Sequence, residues 1–390
     1  MAFRRSHRKS RHGCLNCKRR RVKCDEKRPA CANCEQRHST CVYSSAGPFA
    51  FADDSQRSSR RPRDQNRDRP TGSGSDVSNV RDHLDSATSS SSSPELNMQQ
   101  IELVMQWVNQ THRLFARNEE TRKVWEMPVL QEALQAPFLM HGILALSALH
   151  ISHLKNDGVH SEWLNTAIAH KNTALAMFSE QLSNISQANA KAMMSFAGLA
   201  VAFSLASTLN LEKSGDGPSL GALTDIFTLS RGVRIVVNAE AEFLTQSNFA
   251  PLFDVTPPDV TIPDSFLDAF SRLDELVVEC LGQPSGDQKR PYQRVISHLR
   301  DLAPFTFAEP TSLTVVAGWA IRAPAEYLED LRNNNPLALV VLAHFCVFLH
   351  LARENWCVGS WGQIVLTQIS QALAPDWQRH IDWALGQVST

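Results

Sequence analysis

The chain has 390 residues, 43% of them hydrophobic, which allows a sizeable core and two or three domains. Its net charge of −1 is unevenly distributed. Residues 1–45 carry thirteen Lys and Arg against three Asp and Glu, whereas residues 95–390 carry nineteen Lys and Arg against thirty Asp and Glu. A basic head on an acidic body indicates a head that binds a polyanion, and it argues against a body that binds nucleic acid by itself.

Six of the nine cysteines fall within residues 14–41. Such a cluster is typical of either a disulfide framework or a metal site. The first residues are basic and contain no apolar stretch of a secretory signal, so a reduced compartment and a metal site are the better interpretation. Cys280, Cys346 and Cys357 stand apart among apolar residues, and we expect them to be free thiols in the core.

The cysteine cluster is an internal repeat with two halves of the form C-x-N-C-x6-C, one beginning at Cys14 and the other at Cys31. Two cysteines separated by two residues can place two thiolates on one metal, as in structural zinc sites. Three thiolates do not complete a tetrahedron. Two zinc ions need eight ligand positions, and six sulfur atoms fill them only if two sulfur atoms bridge. The repeat therefore predicts one binuclear cluster with two zinc ions per chain.

The full spacing of residues 14–41, C-x2-C-x6-C-x6-C-x2-C-x6-C, resembles the fungal Zn2Cys6 binuclear cluster family. The resemblance implies that the first cysteine of each half, Cys14 and Cys31, bridges the two metals. It further implies that the remaining ligands are Cys17 and Cys24 on one zinc, and Cys34 and Cys41 on the other. Pro29 matches the proline that shapes the loop between the halves. The alternative is a zinc-stapled module without a role in DNA binding.

The two halves differ in charge. The window after the first C-x2-C pair holds five basic residues: Lys18, Arg19, Arg20, Arg21 and Lys23. The matching window of the second half holds Glu35, Gln36, Arg37 and His38. Only the first half therefore suits the major groove of DNA. The resemblance implies that Arg20 and Arg21 approach a CGG-type triplet, with Arg21 contacting base edges and the other basic side chains contacting phosphates. The same basic run also suits a nuclear-import signal, and both interpretations can hold.

Residues 46–93 carry few hydrophobic side chains and many Ser, Arg, Asp and Gly, so they are predicted to form a disordered linker between the head, residues 1–45, and the body. The linker has no heptad pattern, which argues against a coiled-coil dimerisation arm directly after the head.

From Pro94 onward the pattern predicts an all-α regulatory domain over residues 94–390. Ser93 and Pro94 are predicted to be the N-cap and first residue of its first helix, with Ile101 on the apolar stripe. Residues 138–149 are apolar nearly all round and predict a central buried helix. Only residues 311–316 suggest a strand. Further helices are predicted near residues 161–183, 188–209, 219–246, 265–281, 288–302, 324–332, 336–353 and 360–374.

Two features of the body carry alternative interpretations. The best candidate for a membrane span, residues 337–351, has 15 residues, short of the ~20 that a span needs. It is interpreted as a buried core helix, and no membrane partner is expected. His141, His150 and His153 could suggest a metal site, but histidines on an apolar helix are more often core or edge residues.

Four runs of the body are similar to the effector domain of fungal sterol uptake control proteins: residues 137–150, 229–234, 336–344 and 356–361. The resemblance implies a helical domain that forms a homodimer and can hold a hydrophobic effector. The family also includes regulators of secondary-metabolite gene clusters. Trp383 is followed by Ala384, where relatives often have proline.

Together these observations predict a nuclear, sequence-specific DNA-binding transcription factor of fungal type that acts on RNA polymerase II genes of one pathway or gene cluster, such as secondary metabolism. The alternative is a sterol- or lipid-responsive regulator whose body binds a hydrophobic effector. An enzyme is not expected, because H-E-x-x-H, G-x-G-x-x-G and P-loop motifs are missing. An RNA-binding head is disfavoured, because Phe3 and Tyr43 are its only aromatic residues for base stacking.

Overall fold

The structure is a computed structural model of the whole chain. Its contacts divide the chain into two units, Met1–Thr88 with the cysteine cluster and Ser89–Thr390 with the helical body. The predicted linker, residues 46–93, lies outside the described residues. The structure describes Cys17, Arg20, Val22, Cys24, Asp25, Lys27, residues 30–37, Cys41, and residues 96–155, 160–210, 217–282 and 289–389.

The regular structure of the described residues is helical throughout, without a strand, which confirms the prediction of an all-α body. Short 3-10 turns occur at Thr111–Phe115 and Ala250–Phe253. The α-helices in chain order are α1 Ala32–Glu35, α2 Met98–Asn109, α3 Glu119–Glu126, α4 Pro128–Gln135, α5 Pro137–Leu154, α6 His160–Gln181, α7 Ala190–Asn210, α8 Leu220–Ala239, α9 Ala241–Gln246, α10 Asp264–Leu281, α11 Lys289–Ala308, α12 Leu313–Arg322, α13 Ala325–Arg332, α14 Pro336–Leu351, α15 Trp361–Ala372, α16 Pro375–Gln378 and α17 Asp382–Val388.

The first helix of the body begins later than the sequence suggests. Its N-cap is Asn97, whose side chain accepts a hydrogen bond from the amide of Gln100 at 3.1 Å. The prediction that Ser93 and Pro94 start this helix is therefore wrong. The first amides of a helix have no partner within it, so the asparagine side chain that satisfies one of them defines where the helix starts.

The inner face of α2 also differs from the predicted stripe. Leu103 and Trp107 are buried, whereas Ile101 is 39% exposed. The helix ends at Asn109 and the chain tightens into the 3-10 turn Thr111–Phe115, where Leu114 and Phe115 are buried. The predicted stripe therefore fails at Ile101 within the regular helix, because Leu103 and Trp107 face the packed neighbours of α2, whereas its members Thr111 and Phe115 in the turn are buried.

Two helices that are apolar on nearly all sides form the centre of the body. Helix α5 packs against α2, α6 and α7, and its buried residues confirm the prediction for residues 138–149. Helix α14 packs against α11, α15 and α17 and is buried along almost its whole length, as predicted for residues 337–351. The indole Nε1 of Trp361 donates to the carbonyl of Leu205 at 3.1 Å and so joins α15 to α7.

By length and composition, two helices of the body could cross a membrane: Pro137–Leu154 and Ala190–Asn210. These helices, rather than residues 337–351, are the strongest candidates for a membrane span. The helices Ala325–Arg332 and Pro336–Leu351 pass the same test only as a pair, and they are bent by 103° at the break between them. In each of the two long helices, 72% of the apolar window is buried inside the body. Burial of this kind also explains an apolar composition on every side.

The strand suggested for residues 311–316 is wrong, because α12 begins at Leu313 and continues to Arg322. Val315 and Val316 are β-branched and favour strands in isolation, but tertiary packing overrides this weak preference. The buried residues Val316, Trp319 and Ala320 recur at helical spacing and turn one face of α12 into the core.

Of the three cysteines outside the cluster, two are buried and one is exposed. Cys346 and Cys357 are buried free thiols, as expected, and burial raises the pKa of both. The prediction that Cys280 is a core residue is wrong, since it is exposed. Cys280 lies in the last turn of α10, beyond Val277, the last buried residue of that helix.

Candidate zinc centre

The described cysteines of the head form two groups that share one residue. Cys17, Cys24 and Cys31 make one group, and Cys31, Cys34 and Cys41 make the other; within each group the sulfur atoms lie within 4.8 Å of one another. The sulfur atoms of Cys17 and Cys31 are 3.6 Å apart, although the residues are fourteen positions apart in sequence. The geometry therefore brings both halves of the repeat together at Cys31.

These distances fit tetrahedral zinc. With zinc–sulfur bonds of about 2.3 Å, two thiolates on the same ion stand roughly 3.8 Å apart. The 3.6 Å between Cys17 and Cys31 is close to this separation. Four of the cysteines, Cys17, Cys24, Cys31 and Cys34, are almost fully buried, while Cys41 is half-buried. In a small module without a large apolar core, buried thiols at such spacing suit a metal that supplies the folding energy.

The second half of the repeat is held by backbone hydrogen bonds at the start of α1. The amide of Ala32 donates to the carboxylate of Asp25, at 3.1 Å to one oxygen and 3.3 Å to the other. The amide of Cys31 donates to the sulfur of Cys41 at 3.2 Å. The sequence pattern does not predict this role of Asp25. Its contact joins residues seven positions apart, which a helix-capping pattern does not reveal.

The structure describes only part of the basic window that is expected to contact DNA. Arg20 is exposed, and Val22, 41% exposed, donates its amide to the carbonyl of Cys17 at 3.1 Å. In the second half, Glu35, Gln36 and Arg37 are exposed as well. The other predicted site residues lie outside the described residues: Cys14, Lys18, Arg19, Arg21 and Lys23.

Three histidines of the body, His141, His150 and His170, contact side chains of neighbouring elements. The Nδ1 atoms of His141 and His170 lie 2.8 Å apart, joining α5 to α6. His150 lies 2.9 Å from the hydroxyl of Thr111 and stacks on Trp356 with ring centroids 4.5 Å apart. Within the described part of the chain, the groups of side chains able to hold a metal are the two cysteine groups of the head.

Both parts of the chain match domains of known proteins. Residues 12–47 match the fungal Zn(2)-Cys(6) binuclear cluster domain, and residues 102–208 match the fungal specific transcription factor domain. A Zn(2)-C6 fungal-type transcription factor of Gibberella zeae is 24% identical over 438 aligned positions, which cover 99% of this chain and 87% of that protein. The Zn(2)-C6 fungal-type transcription factor afumD of Aspergillus fumigatus is 26% identical over 168 positions, 42% of this chain and 39% of that protein.

These matches agree with the geometry of the head and with the helical body behind it. The likeness of the body to sterol uptake control proteins stays a prediction. The chain is thus similar to Zn(2)-C6 fungal-type transcription factors: its head matches a binuclear cluster domain, which binds two zinc ions, and its body matches a fungal specific transcription factor domain.

Proposed function

We propose that the protein is a nuclear, sequence-specific regulator of RNA polymerase II genes in a fungus, and that it acts on one pathway or gene cluster, such as one for a secondary metabolite. The observation that carries this proposal is the pair of cysteine groups sharing Cys31, placed ahead of a transcription factor domain. The proposed domains are the head at residues 1–45, a linker at 46–93 and a regulatory body, without enzymatic activity, at 94–390.

In the proposed zinc cluster, Cys14 and Cys31 each bind both metals. The remaining ligands of the two ions are Cys17 and Cys24 on one side and Cys34 and Cys41 on the other. The membership of Cys31 in both sulfur groups supports its bridging role. Zinc supplies the cross-links that fold the head, while the buried sulfur atoms and the Asp25 carboxylate orient the two halves of the repeat around it.

The proposed DNA contacts lie in the first half of the repeat. They comprise Lys18, Arg19, Arg20, Arg21 and Lys23, facing a CGG-like half-site of double-stranded DNA. An arginine can donate two hydrogen bonds to O6 and N7 of guanine, which is the most common specific contact in the major groove. The exposed Glu35 of the second half would repel phosphates, so the charge difference between the halves supports the first half as the DNA-binding side.

Substitution of single basic residues tests this assignment. Arg21→Ala should cost about 1–3 kcal/mol of binding free energy on the specific site and less on random duplex, so the specificity ratio falls. Lys23→Ala should weaken both kinds of site alike and reduce the salt slope by about one unit, because one fewer counterion is released. Arg37→Ala, from the second half, is the matched control and should change discrimination little.

Titrations of specific and random duplex at several salt concentrations separate these outcomes. Equal losses on both duplexes for Arg21→Ala would show that the contact with base edges lies elsewhere, and Arg20 would be the next residue to test. A duplex RNA that competes as well as duplex DNA would contradict the proposed target.

We also propose that the body forms a homodimer. Three apolar side chains on one face of α2 are exposed: Met98 by 67%, Ile101 by 39% and Met105 by 58%. Exposed apolar patches of this kind often mark protein interfaces. The proposed linker ends at residue 93, shortly before α2, so two copies paired in parallel along this face would bring both linkers to one end of the dimer. In that arrangement the body would pair the two copies, which a linker without a heptad pattern does not do by a coiled coil.

The dimer proposal is tested by placing a charge on this face. Met105→Glu should shift the full chain from dimer to monomer in sedimentation equilibrium, because a buried unpaired carboxylate is costly. Ile235→Glu is the matched control, since Ile235 is 67% exposed but lies on α8. A strictly monomeric wild-type protein, or a dimer unaffected by Met105→Glu, would contradict the assignment.

The alternative function, a body that binds a sterol or another hydrophobic effector, rests on the resemblance of the four runs noted above. It predicts that the protein purified from its source carries an apolar molecule, or that an apolar compound raises its melting temperature. Neither effect would be seen if the apolar helices only form the core.

A further inference from the structure

Three helices of the body meet around Trp319. Its indole Nε1 donates to the carbonyl of Val295 at 2.9 Å, which joins α12 to α11. Its ring packs edge-on against Phe227 of α8, with ring centroids 5.6 Å apart. Trp319 is fully buried, so the relative positions of these three helices are defined by close packing.

Basic side chains gather beside this junction. Arg294, His298 and Asp301 lie four and three residues apart on α11 and therefore share one face of that helix. Arg322 of α12 reaches the same place, since its guanidinium donates to the Asp301 carboxylate at 3.2 Å. Arg322 also donates to the carbonyl of Gly318 at 3.3 Å, which orients its side chain along α12.

The electrostatic surroundings of His298 show which charges are near it. Burial is the main cause that lowers the pKa of His298 to about 4. The positive charges of Arg322, Arg294 and Arg234 lower this pKa in the same direction, and Asp301 opposes them. Arg234 lies on α8 seven residues, or about two helical turns, after Phe227, which packs on Trp319, so α8 presents a guanidinium on the side of this junction as well.

This cluster carries more positive than negative charge. Arg322 is paired with Asp301, whereas Arg234 and Arg294 add two further positive charges near His298, in a body whose overall charge is strongly negative. Arg234 and Arg294 are exposed and make no ion pair with the described residues. The Nδ1 atom of His298 is buried and has no hydrogen-bond partner among those residues. Like charges repel and a buried polar atom without a partner is costly, so a bound anion would relieve both.

We propose that Arg234, Arg294, His298 and Arg322 form a binding site for a small effector that carries a compact dianion, either a phosphate group or a dicarboxylate. Guanidinium groups suit such ligands, because their planar N–H donors match two oxygen atoms at once. An extended polyanion fits less well, since the acidic body around the cluster would repel the rest of it. All four residues belong to the body, and none of them is among the proposed DNA contacts.

The test measures thermal unfolding of the zinc-loaded full chain by circular dichroism, with inorganic phosphate or succinate added against sodium chloride at equal ionic strength. A binder should raise the melting temperature saturably by about 2–4 °C. Arg294→Gln removes an exposed guanidinium of the cluster and should weaken the apparent affinity roughly tenfold or more. The matched control is Arg272→Gln, which removes the same charge from an exposed position on α10.

Three results would overturn the proposal. The first is an unchanged melting temperature with both anions. The second is an equal loss of affinity in Arg272→Gln, which would indicate a general effect of charge. The third is protection of the body by random duplex DNA that depends on Arg294 while neither small anion binds, which would assign the cluster to a DNA backbone contact instead.

Discussion

Substitution of Gly362 by alanine tests the closest helix contact of the body. Gly362 lies in the first turn of α15, where α15 crosses α14. A Cβ atom at this position would stand 2.6 Å from the carbonyl oxygen of Cys346 and 2.6 Å from the amide nitrogen of His350. Both distances fall 0.8 Å short of the 3.4 Å at which ordinary contact begins. Both neighbours are backbone atoms of a buried helix, so no side-chain rotation can relieve the overlap.

The expected cost follows from two opposing effects. Overpacking of a core costs typically 1–3 kcal/mol and can cost more, and the rigid neighbours place Gly362→Ala at about 3 kcal/mol. Alanine favours a helix over glycine by about 1 kcal/mol. The net loss of unfolding free energy is therefore about 2 kcal/mol. Gly318→Ala is the matched control: it lies in the middle of α12 with nothing within 4 Å of its Cβ, and it should stabilise the body by about 0.5–1 kcal/mol.

The assay is urea unfolding of the zinc-loaded full chain, followed by circular dichroism of the helices, with the midpoint and slope compared between the two variants. Opposite signs for the two substitutions are expected. A Gly362→Ala protein as stable as the wild type would show that α14 and α15 do not approach each other as closely as described.

Two further predictions concern zinc and pH. Metal analysis should find two zinc ions per chain, and chelation should unfold the head while the helical dichroism of the body is retained; one zinc ion, or loss of the body helices, would contradict this. Burial lowers the pKa of His344 to about 4, whereas an unfolded chain takes up this proton near pH 6.5, so stability should fall as the pH drops from about 6.5 to 4. His344→Gln should show a shallower fall over this window in melting temperature, and an unchanged pH profile would refute the role of His344.

The local pattern of the sequence was sufficient for two conclusions. The spacing of six cysteines predicts a binuclear metal cluster, because ligand number and tetrahedral geometry leave few other arrangements for two C-x-N-C-x6-C halves. The apolar composition of residues 138–149 and 337–351 predicts buried helices, since a segment without a polar face can only be covered on all sides. Both conclusions rest on properties that neighbouring residues share along the chain.

Contacts between distant residues were decided only by the tertiary structure. The carboxylate of Asp25 reaches the amide of Ala32, and the guanidinium of Arg117 donates to the carbonyls of Pro251, Leu252 and Asp254. The exposure of Cys280, the helix that replaces the strand suggested for residues 311–316 and the outward face of α2 depend likewise on which neighbours cover each segment. Periodicity shows that a helix has a buried side, but the covering partner determines where that side begins and ends, and that partner is brought into place by the fold.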